Sequence, residues 1–121
     1  MKKTEVVCEI EVTTSVIGGK WKPLILYFLG ENGTQRFGEI KTYLSKVSHK
    51  SLTNQLKELE KEGVISRKVF PEVPPKVEYT LTEKGESLMP ILELMCDWGF
   101  KNKGDKYSLI RPVCDEESDL K

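Results

Sequence analysis

Cationic, amide and hydroxyl side chains recur in the run from Ser48 to Lys61. At about 100° per residue around a helix, the side chains on one face are Lys50, Asn54, Lys57 and Lys61, flanked by Ser51 and Thr53. Such groups suit the phosphates and base edges of a nucleic acid. The pattern therefore indicates a binding face, and the alternative is an ordinary solvated helix surface.

The opposite face of the same run is apolar. Leu52, Leu56 and Leu59 recur at the spacing of one helical face. Ser48 is placed to cap the first turn, because its hydroxyl can accept a hydrogen bond from an orphan backbone N–H. We therefore expect a helix that is anchored in a core on one side and presents its polar groups on the other.

The sequence contains no comparable pattern of residues for catalysis or for metal binding. His49 is the only histidine, and no acid is spaced to orient it. Neither GxGxxG, a P-loop nor GxSxG occurs. Cys8, Cys96 and Cys114 lie far apart without a CxxC spacing, which excludes a local zinc knuckle and argues against a disulfide framework. We expect no enzyme activity, no cofactor and no metal.

Charge is unevenly distributed along the chain. The 121 residues suit one domain, and their formal net charge is zero. Residues 33–57 contain five Lys or Arg and one Glu, a net charge of +4, whereas residues 114–121 contain four acids and one Lys, a net charge of −3. A neutral chain can therefore carry a basic face.

The sequence predicts no membrane segment. No apolar run approaches the roughly 18–20 residues that span a bilayer. The N-terminus is charged but lacks the apolar stretch of a signal peptide. We therefore expect a cytoplasmic protein with no membrane partner.

The preceding elements lead into the polar helix through a short turn. Glu9–Ile17 is predicted as a helix that ends at Gly18 and Gly19, and a core helix follows with Pro23 in its first turn. The stripe predicted to face the core consists of Trp21, Leu24, Ile25, Phe28 and Leu29. The next helix is marked by Phe37, Ile40 and Leu44, and residues 45–47 join it to Ser48. Two helices joined in this way predict a helix-turn-helix; the short segment 34–36 is compatible with an edge strand.

A hairpin follows at once. Residues 65–70 and 76–81 alternate with period two, which predicts two strands, and Pro71, Pro74 and Pro75 form a stiff loop between them. A helix-turn-helix followed by a hairpin is a winged helix, whose wing can touch DNA. We expect Lys68 and Lys76 to contact phosphate. The alternative is a structural hairpin that covers the core.

The last predicted helix starts at Thr82–Glu83 and is expected to kink at Pro90. Its apolar residues cover more than half of its circumference, more than one small core can bury. Together with the apolar N-terminal helix, this predicts an isologous dimer, and the alternative is a wider core contact. The candidate interface residues are Ile10, Val16, Leu94, Met95 and Trp98.

Several stretches resemble one known family in the same order. They are Val16 to Leu26 (VIGGKWKPLIL), Arg36 to Ile40 (RFGEI), Ser48 to Glu60 (SHKSLTNQLKELE), Val69 to Thr82 (VFPEVPPKVEYTLT), Gly85, and Leu94 to Gly99. The chain is similar, roughly from Cys8 to Phe100, to the HxlR-type regulators, bacterial and archaeal winged-helix transcription factors close to the MarR regulators. The resemblance implies a homodimer with terminal helices at the interface, and a helix from Ser48 in the major groove.

The same resemblance draws attention to Cys8. Some family members sense electrophiles or oxidants through a cysteine just before the first helix, and Cys8 occupies that position. Proline usually follows it there, whereas this chain has Glu9, whose carboxylate disfavours a thiolate while the helix N-terminus favours one. A redox sensor is one hypothesis, with Cys114 as the thiol that would resolve it. The other is a partly buried cysteine at an interface.

The sequence thus predicts an α+β, mostly helical fold: a winged helix-turn-helix with extra N- and C-terminal dimerisation helices. Residues 1–104 form the DNA-binding and dimerisation domain, and 105–121 a polar tail. The predicted function is sequence-specific transcriptional regulation by a homodimer on double-stranded DNA. The alternative is a winged-helix module that binds proteins without specific DNA binding. The candidate DNA-binding residues are Arg36, Ser48, Lys50, Ser51, Thr53, Asn54, Lys57, Lys68 and Lys76.

Overall fold

The computed structural model describes residues 3–113, which form six helices and three strands. The helices are α1 (Glu9–Ile17), α2 (Lys22–Asn32), α3 (Phe37–Leu44), α4 (His49–Lys61), α5 (Glu83–Glu86) and α6 (Met89–Asn102). The strands are β1 (Gln35–Arg36), β2 (Ile65–Phe70) and β3 (Lys76–Leu81). The mostly helical α+β winged helix-turn-helix is therefore confirmed, including the short strand before α3.

The three strands form one antiparallel sheet in the order β1-β3-β2. Gln35 pairs with Tyr79, and Arg67 of β2 pairs with Tyr79 on its other side. Because side chains alternate along a strand, Ile65, Tyr79 and Leu81 lie on the face that is buried against the helices. The β2–β3 hairpin, called the wing below, thus has one face on the core and one outer face.

Helix α2 lies at the centre of the core, but its buried stripe differs from the predicted one. Ile25, Leu26 and Leu29 are buried, whereas Leu24 is 43% exposed. The sequence could not distinguish these faces, because α2 is apolar on most of its surface. The α4 leucines behave as predicted, since Leu52, Leu56 and Leu59 are at most 2% exposed.

The predicted C-terminal helix is two helices. α5 ends at Glu86, and α6 begins at Met89 with Pro90 in its first turn. Proline is tolerated there because the first helical N–H groups have no intrahelical acceptor. Pro90 therefore starts a new helix, and the expectation of a single kinked helix was wrong.

Gly85 fixes α5 against the base of the wing. A Cβ atom at this position would overlap the backbone carbonyl oxygen of Val64. Thr82 holds the same junction: its hydroxyl donates to the Gly63 carbonyl at 2.6 Å and accepts from the Gly85 N–H at 3.1 Å. Glycine at position 85 therefore permits an approach that any side chain would prevent.

The segment after α6 returns towards the helix-turn-helix. The Arg111 Nε–H donates to the carbonyl oxygen of Tyr43 at 3.3 Å. Residues 114–121, with Cys114 and the four acids that follow it, lie outside the described residues. Within residues 3–113, none of the helices is long and apolar enough to cross a membrane.

Candidate nucleic-acid interface

The start of α4 is fixed by local contacts. Ser48 caps the helix, since its Oγ accepts a hydrogen bond from the Ser51 N–H at 3.0 Å. The His49 ring lies against Phe37 of α3, with ring centroids 4.7 Å apart. Ser45, in the turn between the two helices, has a positive φ of 57°, so the chain reverses there within a few residues. The predicted cap is confirmed, and the first turn of α4 is held in one orientation.

The polar face of α4 is open to solvent. Lys50, Asn54 and Lys57 are exposed, whereas Ser51 and Thr53 are half-buried. The Thr53 hydroxyl donates to the backbone carbonyl of His49 at 2.8 Å. The hydroxyl proton of Thr53 is therefore used in a hydrogen bond within α4, and towards a ligand the Thr53 hydroxyl can act only as an acceptor.

An ion pair that the sequence analysis missed ties α4 to α2. Lys22 Nζ lies 2.6 Å from Glu58 Oε1, and the Lys22 side chain is 14% exposed. The pair joins residues 36 positions apart, so helical spacing gives no sign of it. The Lys22–Glu58 pair restrains α4 on a side of the helix away from its three buried leucines.

The wing carries its cations around an aromatic ring. The ammonium groups of Lys68 and Lys76 lie 4.9 Å and 4.7 Å from the centre of the Phe70 ring. Lys76 Nζ is also 3.3 Å from Glu78 Oε2. Arg36, on the neighbouring strand, pairs with Glu78 in register. Lys76 therefore already has an acidic partner, which the sequence analysis did not foresee.

Two tyrosines near the helix-turn-helix stay protonated. Burial raises the pKa of Tyr43, and the Arg111 guanidinium offsets part of that effect. Burial also raises the pKa of Tyr27, with a further increase from its hydrogen bond to Glu31. Since both phenols ordinarily titrate near pH 10, they remain neutral and act as apolar rings with a hydroxyl.

Most candidate dimer residues are uncovered in the single chain. Ile10 of α1 is 73% exposed, and Leu94 and Trp98 of α6 are each 69% exposed. Met95 is exposed as well. Val16 differs, because it is half-buried and packs against the core. Exposed apolar side chains thus lie on the outer faces of α1 and α6, and further ones follow in the segment after α6, at Tyr107, Leu109, Ile110 and Val113.

Cys8 is a free, exposed thiol at the N-cap position of α1. Its backbone carbonyl accepts from the Glu11 N–H at 3.0 Å, but its side chain makes no capping hydrogen bond. Cys96 of α6 is disulfide-bonded, which spacing along the sequence could not indicate. Among residues 3–113, no group of three His, Cys, Asp or Glu is arranged to hold a metal ion.

Comparison with known proteins identifies the family. The HxlR-like helix-turn-helix family matches residues 16–107. The chain belongs to the HxlR-like helix-turn-helix family. It is 54% identical over 101 residues to MalR of Fusobacterium mortiferum, described as a regulatory protein, a match that covers 84% of this chain and 95% of MalR.

Solved structures agree with that assignment. The redox regulator HypR in its reduced form superposes with a TM-score of 0.77 at 42% identity, covering 83% of this chain and 100% of HypR. The reduced transcriptional regulator YodB of Bacillus subtilis gives 0.69 at 36% identity, covering 85% and 100%. The chain is therefore an HxlR-type transcriptional regulator.

Proposed function

We propose that this HxlR-type regulator binds double-stranded DNA sequence-specifically as a homodimer, with α4 in the major groove and the wing on the backbone or minor groove. The observation that carries the proposal is the two-sided character of α4. Its three leucines are buried, so Lys50, Asn54 and Lys57 are held outward on a rigid helix. A helix of this kind fits the major groove.

The residues of α4 divide between base and backbone contacts. Asn54 lies mid-helix and exposed, and its amide can pair bidentately with adenine. Lys50 and Ser51 lie near the helix start, where base contacts usually fall. The backbone contacts are assigned to Arg36, Ser48, Thr53, Lys57, Lys68 and Lys76. For Thr53 the contact is restricted to accepting a hydrogen bond, since its proton is bonded to His49.

The homodimer rests on the uncovered apolar faces of α1 and α6. Ile10, Leu94, Met95 and Trp98 are exposed, and a second copy would bury them. We assign residues 1–104 to the DNA-binding and dimerisation domain and 105–121 to a tail. A chromosomal regulator acts in the cytoplasm, and we assign no enzyme activity to this fold.

Cys8 is a candidate redox switch. It is exposed, free and at the start of α1, and a similar chain, HypR, is described as a redox regulator. Modification of a thiol on α1 would alter contacts at the proposed dimer interface. Such a change would move the two α4 helices relative to half-sites about one DNA turn apart.

A titration with DNA at several salt concentrations tests the proposal. Fragments of the source genome retained by the protein supply the operator, and an unrelated duplex of the same length is the control. We expect tighter binding to the operator and a log–log salt dependence with a steep negative slope. A protein-interaction module would show neither operator preference nor salt-dependent binding of duplex, and that result would reject DNA binding.

A further inference from the structure

The outer face of the three-stranded sheet carries one acid, Glu78, and three cations, Arg36, Lys68 and Lys76. Arg36 on β1 and Lys68 on β2 are the direct cross-strand partners of Glu78 on β3. Direct partners project to the same side, with Cβ atoms about 4.5–5.5 Å apart. Lys76 precedes Glu78 by two residues and lies on the same face. Glu78 is therefore surrounded by the positive groups of this face.

The ion pair within this group has a defined geometry. Lys76 Nζ lies 3.3 Å from Glu78 Oε2, and the two side chains are 27% and 25% exposed. Phe70 supports the arrangement, since the ammonium groups of both Lys68 and Lys76 lie within 5 Å of its ring centre. Lys76 is thus held beside Glu78 before any ligand arrives, and because it is partly buried, solvent screens it less than a fully exposed lysine.

We propose that Glu78 is an internal counter-ion of the wing, which a DNA phosphate displaces from Lys76, and that it limits the strength of sequence-independent DNA binding. This inference rests on the proposed function and deepens it. Phosphate and carboxylate compete for the same ammonium group. A partly exposed ion pair is weak enough for a polyanion to replace it, and the displaced carboxylate then repels the phosphates beside it.

The experiment compares Glu78→Gln with the wild type on an unrelated duplex of about 30 base pairs, long enough for two half-sites one turn apart, by fluorescence anisotropy at several salt concentrations. Glu78→Gln removes the charge and keeps the shape. We expect it to bind about 3- to 10-fold more tightly at low salt, with a log–log slope steeper by about one per subunit, because the net positive charge that faces the phosphates rises by one.

Two control variants separate the proposed role from simpler effects. Glu86→Gln makes the same charge change on α5 at an exposed site outside the wing, and we expect it to change affinity less than about 2-fold. Glu78→Asp keeps the charge and should keep the wild-type slope. Thermal unfolding of each variant verifies that its wing is folded.

A double mutant decides whether Glu78 acts through Lys76. In a Lys76→Gln background, Glu78→Gln should gain less than half of the affinity that it gains in the wild type. A full gain in that background would mean general repulsion and would overturn the counter-ion role. The counter-ion role would also be overturned if the wild type binds the duplex and Glu78→Gln binds it no more tightly. Absence of duplex binding by the wild type at every salt concentration would instead reject the proposed function.

Discussion

The polar face of α4 and the apolar faces of α1 and α6 differ in how many contacts within the single chain hold or cover them. On α4, the Ser48 cap, the His49–Phe37 contact and the Lys22–Glu58 ion pair restrain the helix from within the chain. On α1 and α6, large side chains such as Ile10 and Trp98 lie mostly exposed. The first surface is thus held in place by contacts within its own chain, whereas the second leaves large apolar side chains exposed to solvent.

The energetic scale of the two surfaces differs accordingly. Burying one large apolar side chain contributes about 1.5–3 kcal/mol, so a few such residues from each subunit can stabilise a dimer. A well-made base contact contributes about 1–3 kcal/mol of discrimination and little else. Disruption of the apolar faces should therefore change the oligomeric state and DNA binding together, whereas a substitution on the polar face of α4 should change DNA specificity alone.

The largest effect is expected from Trp98→Asp. A charge in the middle of an apolar contact cannot be buried without a partner, so the variant should be monomeric or insoluble and should lose operator binding. Sedimentation velocity measures the oligomeric state. Val73→Asp, a similar change at an exposed apolar residue of the wing loop, should leave the sedimentation unaltered. A soluble Trp98→Asp protein with wild-type sedimentation would show that Trp98 lies outside any dimer interface.

Gly85→Ala should destabilise the fold itself, by roughly 3 kcal/mol, the upper part of the usual range for overpacking. The added methyl group meets the Val64 carbonyl, which is backbone and cannot rotate away. Urea unfolding followed by circular dichroism measures the loss. In Gly38→Ala, where a Cβ meets nothing within 4 Å, α3 should gain up to about 1 kcal/mol. Equal stability of the two variants would show that α5 can move off the wing base.

Asn54→Ala should change specificity and leave the fold and the dimer intact. Loss of the bidentate amide should relax the preference for one base pair by about 1–3 kcal/mol. The readout is the ratio of operator to scrambled-duplex affinity. Gln55→Ala removes a half-buried amide from the same helix and should keep the wild-type ratio. If Asn54→Ala also keeps that ratio, Asn54 does not read a base.

The smallest and most conditional effect is expected at Cys8. Diamide should weaken or redirect operator binding of the wild type several-fold, a thiol reductant should reverse the change, and Cys8→Ser should not respond. Such an effect would connect the two surfaces, because Cys8 directly precedes α1 and operator binding is assigned to α4. An equal response of wild type and Cys8→Ser would leave Cys8 with a structural role.

Periodicity along the sequence predicted the elements well wherever a pattern was local. The α4 leucines, the Ser48 cap and the alternating strands depend on neighbours within a few residues, and all three were predicted correctly. Contacts between distant segments were missed, such as Lys22–Glu58 and the Arg111–Tyr43 hydrogen bond. Helical and strand spacing carries no information about which residues meet after folding.

The ambiguous elements were those in which two physical rules compete. Pro90 can kink a helix or start one, and in the structure it lies in the first turn of α6. Thr53 lies on the polar face by its spacing, yet its hydroxyl bonds to the backbone of its own helix. For the candidate site, the sequence therefore proposes residues, and the structure shows which of their polar groups already have a partner within the chain.

Helix α2 has a consequence for how the two surfaces communicate. It packs against α6, and Lys22 at its start is bonded to Glu58 of α4, so it contacts both elements. A displacement of α6 would reach α4 along this path only if the Lys22–Glu58 pair stayed intact. In a dimer that forms through α6, the free energy of dimerisation and the free energy of DNA binding would then be coupled. By reciprocity, if dimerisation tightens DNA binding by some factor, DNA binding must tighten the dimer by the same factor.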